Sequence, residues 1–242
     1  MTSDFTEKNR RIKQARTYKS EFAKAVEILV NVVQEQRTWV SDAWFDTKAG
    51  EGKEIRMLEY ACGPGHISLA LAPFVSRVIG MDISDGMIDE FNKNAREADR
   101  SDTVVAFKAD LLAEPTPAEV SGPEYFNFDL VVVSMALHHF EHPEQALKRL
   151  AERVKKGGVM MIIDLVPEGM DHQGLRRQMG EVVDTISKHG FDREETRKMY
   201  EDAGTGTEFK YQVIEEPLVF TKGGKTFHKT VFMARGQKAE DR

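Results

Sequence analysis

The chain has 242 residues, 31% charged and 40% hydrophobic, with a net charge of −6. That length suffices for one sizeable α/β domain with its own core, and the acidic balance counts against DNA or bulk RNA as a partner. The single cysteine, Cys62, excludes an internal disulfide, and no apolar run reaches membrane length.

Residues 1–16 collect Lys8, Arg10, Arg11, Lys13 and Arg16 and read as a solvated arm. From residue 18 to 39, Phe22, Val26, Leu29, Val30 and Val33 recur at helical spacing, which predicts an amphipathic helix. The aromatics Tyr18, Phe22, Trp39, Trp44 and Phe45 have two readings, core packing or a pocket wall. A polar, glycine-bearing linker over 47–53 leads into the first strand.

Ile55, Met57 and Leu58 read as the end of a buried strand. The Gly63-Pro64-Gly65 turn follows, and Ile67, Leu69, Ala70, Leu71 and Ala72 open an apolar helix. A strand running through a glycine turn into a helix presents bare backbone N–H groups at one point, and a ligand can come close there. Val75, Val78, Ile79 and Gly80 lead to Asp82 at the end of strand two. An acidic residue about 20 residues past the glycines is placed to take both ribose hydroxyls. The dinucleotide fingerprint needs a third glycine soon after the turn. His66, Ile67 and Ser68 stand there, which counts against a nicotinamide or flavin pyrophosphate.

Ser84 or Asp85 is placed to cap a helix over 85–98. Residues 104–109 form strand three, with Asp110 and Leu111 at its tip. Residues 114–122, with two prolines, read as a loop with one helical turn. The Val-rich run 128–134 is strand four, buried as a parallel strand should be. It ends in Ser134, Met135, Ala136, Leu137, His138, His139 and Phe140. A helix over 144–154 starts at Pro143 and stops at the lysines and glycines of 155–158; strand five covers 159–165. Arg176, Arg177, Met179, Val182, Val183 and Ile186 recur at helical spacing, and a second helix spans 192–203. Two β-rich runs, 208–220 and 225–235, are joined by a hairpin turn at 221–224. Residues 236–242 read as a frayed tail.

The glycine loop resembles motif I of the class I S-adenosylmethionine-dependent methyltransferases. Glu59, Gly63 and Gly65 stand at matching positions, and Ala61 replaces the first glycine. The run after strand four resembles motif IV; ubiquinone-biosynthesis-type and fungal small-molecule methyltransferases carry a similar apolar-His-His sequence. The resemblance covers roughly residues 50–235. It implies an α/β, Rossmann-like seven-stranded sheet, mostly parallel with one antiparallel C-terminal strand, helices on both faces and an N-terminal helical lid. The expected division is an arm and lid over 1–50, a methyltransferase domain over 51–236 and a tail over 237–242.

The resemblance also implies S-adenosylmethionine as cofactor and S-adenosylhomocysteine as product. Tyr18, Glu59, Ala61, Gly63, Gly65 and Asp82 are its expected contacts. Ile83 and Met87 are placed on the adenine, with Asp110 and the Leu111 N–H at its edge, and Ser134 and Leu137 are placed toward the methionine end. The implied activity is cytoplasmic methylation of a small organic molecule at O, S or N, of the kind met in secondary metabolism, by a monomer or homodimer without bulk nucleic acid or membrane as partner. His139, backed by His138, is the expected base, and residues 176–189 the acceptor wall; His142 and Asp164 are further candidates. His138 and His142 are four apart, but Pro143 breaks a helix there, so no metal is expected. Two alternatives stand beside this: a nucleic-acid or protein methyltransferase, and a non-catalytic binding subunit with the same fold. No amino-methylation tetrapeptide follows strand four, which counts against the first.

Overall fold

Strand residues of this chain alternate between two apolar faces, and a computed structural model shows both faces covered. It describes residues 21–169, 185–222 and 224–240. Tyr18 and the stretch 176–184 expected at the acceptor lie outside the described residues. The described helices are α1 (Ala23–Glu35), α2 (Arg37–Val40), α3 (His66–Leu71), α4 (Asp85–Glu97), α5 (Pro143–Ala151) and α6 (Arg193–Asp202). The strands are β1 (Arg56–Tyr60), β2 (Arg77–Asp82), β3 (Val104–Lys108), β4 (Phe128–Ser134), β5 (Val154–Leu165), β6 (Thr207–Val213), β7 (Leu218–Lys222), β8 (Lys225–Lys229) and β9 (Val231–Gln237).

Seven strands form one sheet in the order β3-β2-β1-β4-β5-β9-β6. The first five are parallel, and β9 runs antiparallel to both its neighbours. Met57, Val78, Leu130 and Met161 face one core with α1, α3 and Phe91 of α4. Leu58, Ile79, Val131 and Met160 face the other, with Leu147 and Leu150 of α5 and Met199 and Tyr200 of α6. The period of two in the strands thus supplies both cores at once.

Several boundaries differ from the sequence expectation; the helix after Pro143 ends at Ala151, and β9 includes Gly236 and Gln237, which were expected in the tail. Strand β5 begins at Val154, which pairs with Phe128, and a register shift follows before Leu130 meets Val159. The glycines of 155–158 therefore lie within the strand's irregular start, not in a helix stop. A Cβ on Gly158 would sit 2.9 Å from the Phe128 carbonyl oxygen, so the bulge needs glycine. The two C-terminal β-rich runs each break in two. Their inner halves, β6 and β9, join the main sheet, and their outer halves, β7 and β8, make a separate two-stranded ribbon. The hairpin turn itself falls between β7 and β8, near the expected place.

The N-terminal aromatics sort by packing. Trp44 is buried, its indole N–H donating to the carbonyls of Arg37 and Ser41 at 2.8 Å, so it is a core residue and not a pocket wall. Phe22 meets Phe220 of the β7–β8 ribbon edge to face at 5.3 Å. Helix α1 buries Ala25, Ile28, Leu29 and Val33 in the same core as Met57.

Candidate active site

Strand order reverses at β1: the chain leaves β3 on one side of it and enters β4 on the other. The loops after β1 and β4 diverge to opposite faces and leave a crevice at the strands' C-terminal ends. Non-glycine residues in the left-handed region follow both strands, Ala61 at φ 53° and Met135 at φ 51°. Each costs roughly 1–2 kcal/mol that the surrounding structure must offset.

The glycine loop is held from three sides. The Gly63 N–H donates to Asp82 Oδ2 at 3.0 Å, and the Ser84 N–H donates to Asp82 Oδ1 at 2.9 Å. Asp82 therefore stitches the β1 loop to the start of α4, and Ser84 is the N-cap residue without a side-chain bond. Glu59 Oε2 accepts from the Ser68 N–H at 2.9 Å and the Ser68 hydroxyl at 2.5 Å. Asn94 donates to the Pro64 carbonyl at 2.9 Å. The two glycines differ in purpose. Gly65, at φ 83°, leaves room for Phe91, since a Cβ there would lie 2.5 Å from the ring. Gly63, at φ 50°, has nothing within 4 Å of the Cβ position, so its bare backbone faces open space.

The electrostatics are unusual for a buried loop. Glu59 and Asp82 are both buried, and among the described residues neither has an ion pair. Burial raises the Glu59 carboxyl from 4.5 to about 7, with Ser68 opposing the shift and Asp82 adding to it. Burial likewise raises Asp82, against the pull of three backbone N–H groups. Among the described residues only Oε2 of Glu59 is hydrogen-bonded, which leaves Oε1 for another donor.

The sign of the Glu59 effect is testable. The folded state holds this proton more tightly than the unfolded chain, so folding stability falls as pH rises from about 4.5 toward 7. The shift corresponds to about 3 kcal/mol at most. Glu59→Gln should flatten that slope, and melting temperatures of both proteins across pH 5–8 check it. Parallel curves would show that Glu59 does not titrate in this window.

Asp110 and Leu111 follow β3, Ser134 ends β4, and Leu137 follows it. Asp110 Oδ1 accepts from the Leu112 N–H at 3.1 Å and lies 3.5 Å from the Tyr60 hydroxyl. Leu111 and Leu137 are 1% and 0% exposed, so their side chains are core. Met87 is buried on the first turn of α4, following Ile83 and Ser84.

The two histidines differ sharply. His138 Nδ1 lies 2.7 Å from Asp164 Oδ1, and the His138 N–H donates to Asp164 Oδ2 at 3.3 Å. Asp164 is fully buried and also accepts from the Leu165 N–H at 2.7 Å. His139 Nδ1 lies 2.7 Å from the Thr185 carbonyl oxygen, to which it donates. Burial, then the neighbouring His138, lowers His139 from 6.5 to about 3. His139 stays neutral at physiological pH and is a weak proton acceptor, which counts against the base role expected of it. The Ser187 N–H and hydroxyl donate to the His138 carbonyl at 2.8 and 3.0 Å, clamping the chain after residue 184 to this turn. Among the described residues no three metal-ligating side chains gather.

Tyr60, Thr185 and Ser187 carried no sequence signal of their own. Only Ser68 had a usable clue, its place in the first turn of the helix after the glycines.

The sequence model for the methyltransferase domain matches residues 34–205, more than half of the chain. The chain belongs to the methyltransferase domain family. Within that family, the uncharacterized methyltransferase C1347.09 of Schizosaccharomyces pombe is 32% identical over 124 residues, 49% of this chain and 41% of the relative. The uncharacterized methyltransferase YcgJ of Bacillus subtilis is 28% identical over 111 residues, 46% of this chain and 41% of the relative. These matches span about two fifths of the relatives' own length. Phosphoethanolamine N-methyltransferase 2 of Haemonchus contortus, solved with phosphomonomethylethanolamine and S-adenosylhomocysteine, shares the fold. Its TM-score is 0.68 at 13% identity, over 99% of this chain and 61% of that one. The methyltransferase fold and its seven-stranded sheet with one antiparallel strand thus agree with the sequence reading. No described helix is long and apolar enough to cross a membrane.

Proposed function

We propose that the protein binds S-adenosylmethionine in the β1–β4 crevice and transfers its methyl group to a small organic molecule. One observation carries this reading: two buried carboxylates, Glu59 and Asp82, flank an open glycine turn, and no cation among the described residues pairs with them. Such a site repels a pyrophosphate and favours a cationic ligand that donates hydrogen bonds. S-adenosylmethionine carries an ammonium, a sulfonium and two ribose hydroxyls, so the residues fit it.

Asp82 and Glu59 Oε1 would hold its hydroxyls and ammonium, the bare Gly63 backbone would admit it closely, and Asp110 with the Leu111 N–H would meet the adenine edge. When bound, it supplies an electrophilic methyl group that needs only an in-line nucleophile. The chain's contribution is then largely to position the acceptor, which can lower the barrier by about 7–11 kcal/mol. The β4 tip, from Ser134 to His139, borders the crevice on the acceptor side.

Thermal shift and calorimetry test this reading. S-adenosylmethionine at 100 times its Kd should stabilise the fold by about 2.7 kcal/mol, while NAD should leave the melting temperature unchanged. Stabilisation by NAD and not by S-adenosylmethionine would reverse the assignment. Radiolabelled methyl transfer to a panel of small hydroxyls, thiols and amines, run beside bulk RNA and a protein lysate, sorts the acceptor classes.

A further inference from the structure

We infer that His138, held by Asp164, is the proton acceptor of the site and that the methylated group is a hydroxyl. This rests on the methyl-transfer reading above. An ionised carboxylate only accepts, so the 2.7 Å contact puts the ring proton of His138 on Nδ1. Nε2 then carries the lone pair. Among the described residues it has no partner, and it is not among the fully enclosed unpaired atoms. Asp164 accepts from three donors: the ring of His138, its backbone N–H and the N–H of Leu165. Both the orientation and the tautomer of the imidazole are therefore set by one buried side chain. Asp164 is a positioning residue.

The acceptor class follows from what such a group is for. A neutral hydroxyl attacks poorly unless its proton leaves as the new bond forms. A thiol is partly ionised near neutral pH and gains much less from a base. An ammonium acceptor is favoured by a carboxylate free to pair with it, and among the described residues Asp164, the carboxylate beside His138, is already occupied. In the proposed step the acceptor oxygen bonds to the methyl carbon. The bond from that carbon to sulfur breaks, and sulfur keeps the pair. The hydroxyl proton moves to His138 Nε2 and then to water. His139, neutral with Nδ1 directed at Thr185, holds the turn that carries His138.

Two measurements test this. Nitrogen NMR of histidine-labelled protein without cofactor should show His138 as the Nδ1–H tautomer, and Asp164→Asn should abolish that signature. The Nε2–H tautomer in the wild type would overturn the assignment. Turnover is then compared for catechol, thiophenol and benzylamine. Catechol should be methylated, and Asp164→Asn and His138→Asn should each lower kcat at pH 7 by at least 100-fold, with the loss shrinking as pH approaches the pKa of the phenol. His138→Asn retains an amide N–H for Asp164, so it tests the idea even if Asp164→Asn does not fold. Methylation of the thiol or amine but not the hydroxyl, or no methylation of catechol, overturns the inference. Calorimetry separates the two levels: binding of S-adenosylmethionine without hydroxyl methylation sinks only this inference, whereas failure to bind sinks the reading beneath it.

Discussion

Asp82→Ala is expected to weaken S-adenosylmethionine binding at least tenfold while the protein still folds. The carboxylate accepts from the N–H groups of Gly63 and Ser84, and each hydrogen bond to a charged group is worth roughly 1.5–3 kcal/mol. Removing it frees the glycine turn from α4 and deletes the proposed ribose contact. Two losses therefore act on one equilibrium. Asp82→Asn keeps the shape and one acceptor oxygen, and should fall between. Calorimetry on both variants decides the matter; an unchanged Kd for the alanine variant would take Asp82 out of the binding site.

Gly65→Ala should be the most damaging single methyl in the loop. At φ 83° alanine pays the left-handed penalty of roughly 1–2 kcal/mol. Its Cβ would also press to 2.5 Å from Phe91, a core ring that is fully buried, and overpacking of that kind adds about 1–3 kcal/mol. Gly63→Ala offers the contrast. It carries a similar backbone penalty at φ 50° but meets nothing within 4 Å. Urea denaturation should rank Gly65→Ala well below Gly63→Ala in stability, while cofactor affinity should suffer at Gly63 through the methyl placed on the open face. Phe91→Leu should recover part of the Gly65→Ala loss. If the two alanine variants unfold at the same urea concentration, Phe91 packing does not explain the glycine.

The parts of this site that could be read from sequence are those made by neighbours in the chain. Glu59, the glycines and Ser68 lie within ten residues, so a strand, a turn and a helix start announce them together. Asp82 was legible because β2 follows at a nearly fixed distance. His138 and Asp164 are 26 residues apart and meet only because Ser134 of β4 pairs with Ile163 of β5. Nothing in either segment alone says that one histidine faces a carboxylate and the next a carbonyl. The same limit applies to β5, whose start at Val154 is set by pairing with Phe128 against the local pull of two glycines. It applies again to the C-terminal runs. Their composition is strand-like throughout, and only the sheet they join decides where each one breaks.

The position of β9 has a consequence for the order of events during folding. It is the last strand in the chain, yet it lies between β5 and β6 and contributes Phe232, Met233 and Ala234 to the buried interior. Among the described strands β9 is the one pairing partner of β6 in the main sheet, so β6 has no neighbour there until β9 arrives. The parallel half, β1 to β5, can assemble earlier from nearer contacts. A nascent chain should thus pass through a stage in which the edge of β5 is bare and β6 is unplaced. Closing the gap requires Val159 to find Gln237, a distant contact of the kind that slows folding and leaves an open strand edge for other chains to pair with. Refolding rates should therefore respond more to substitutions along β9 than to equally buried ones in β2, provided closure is the slow step.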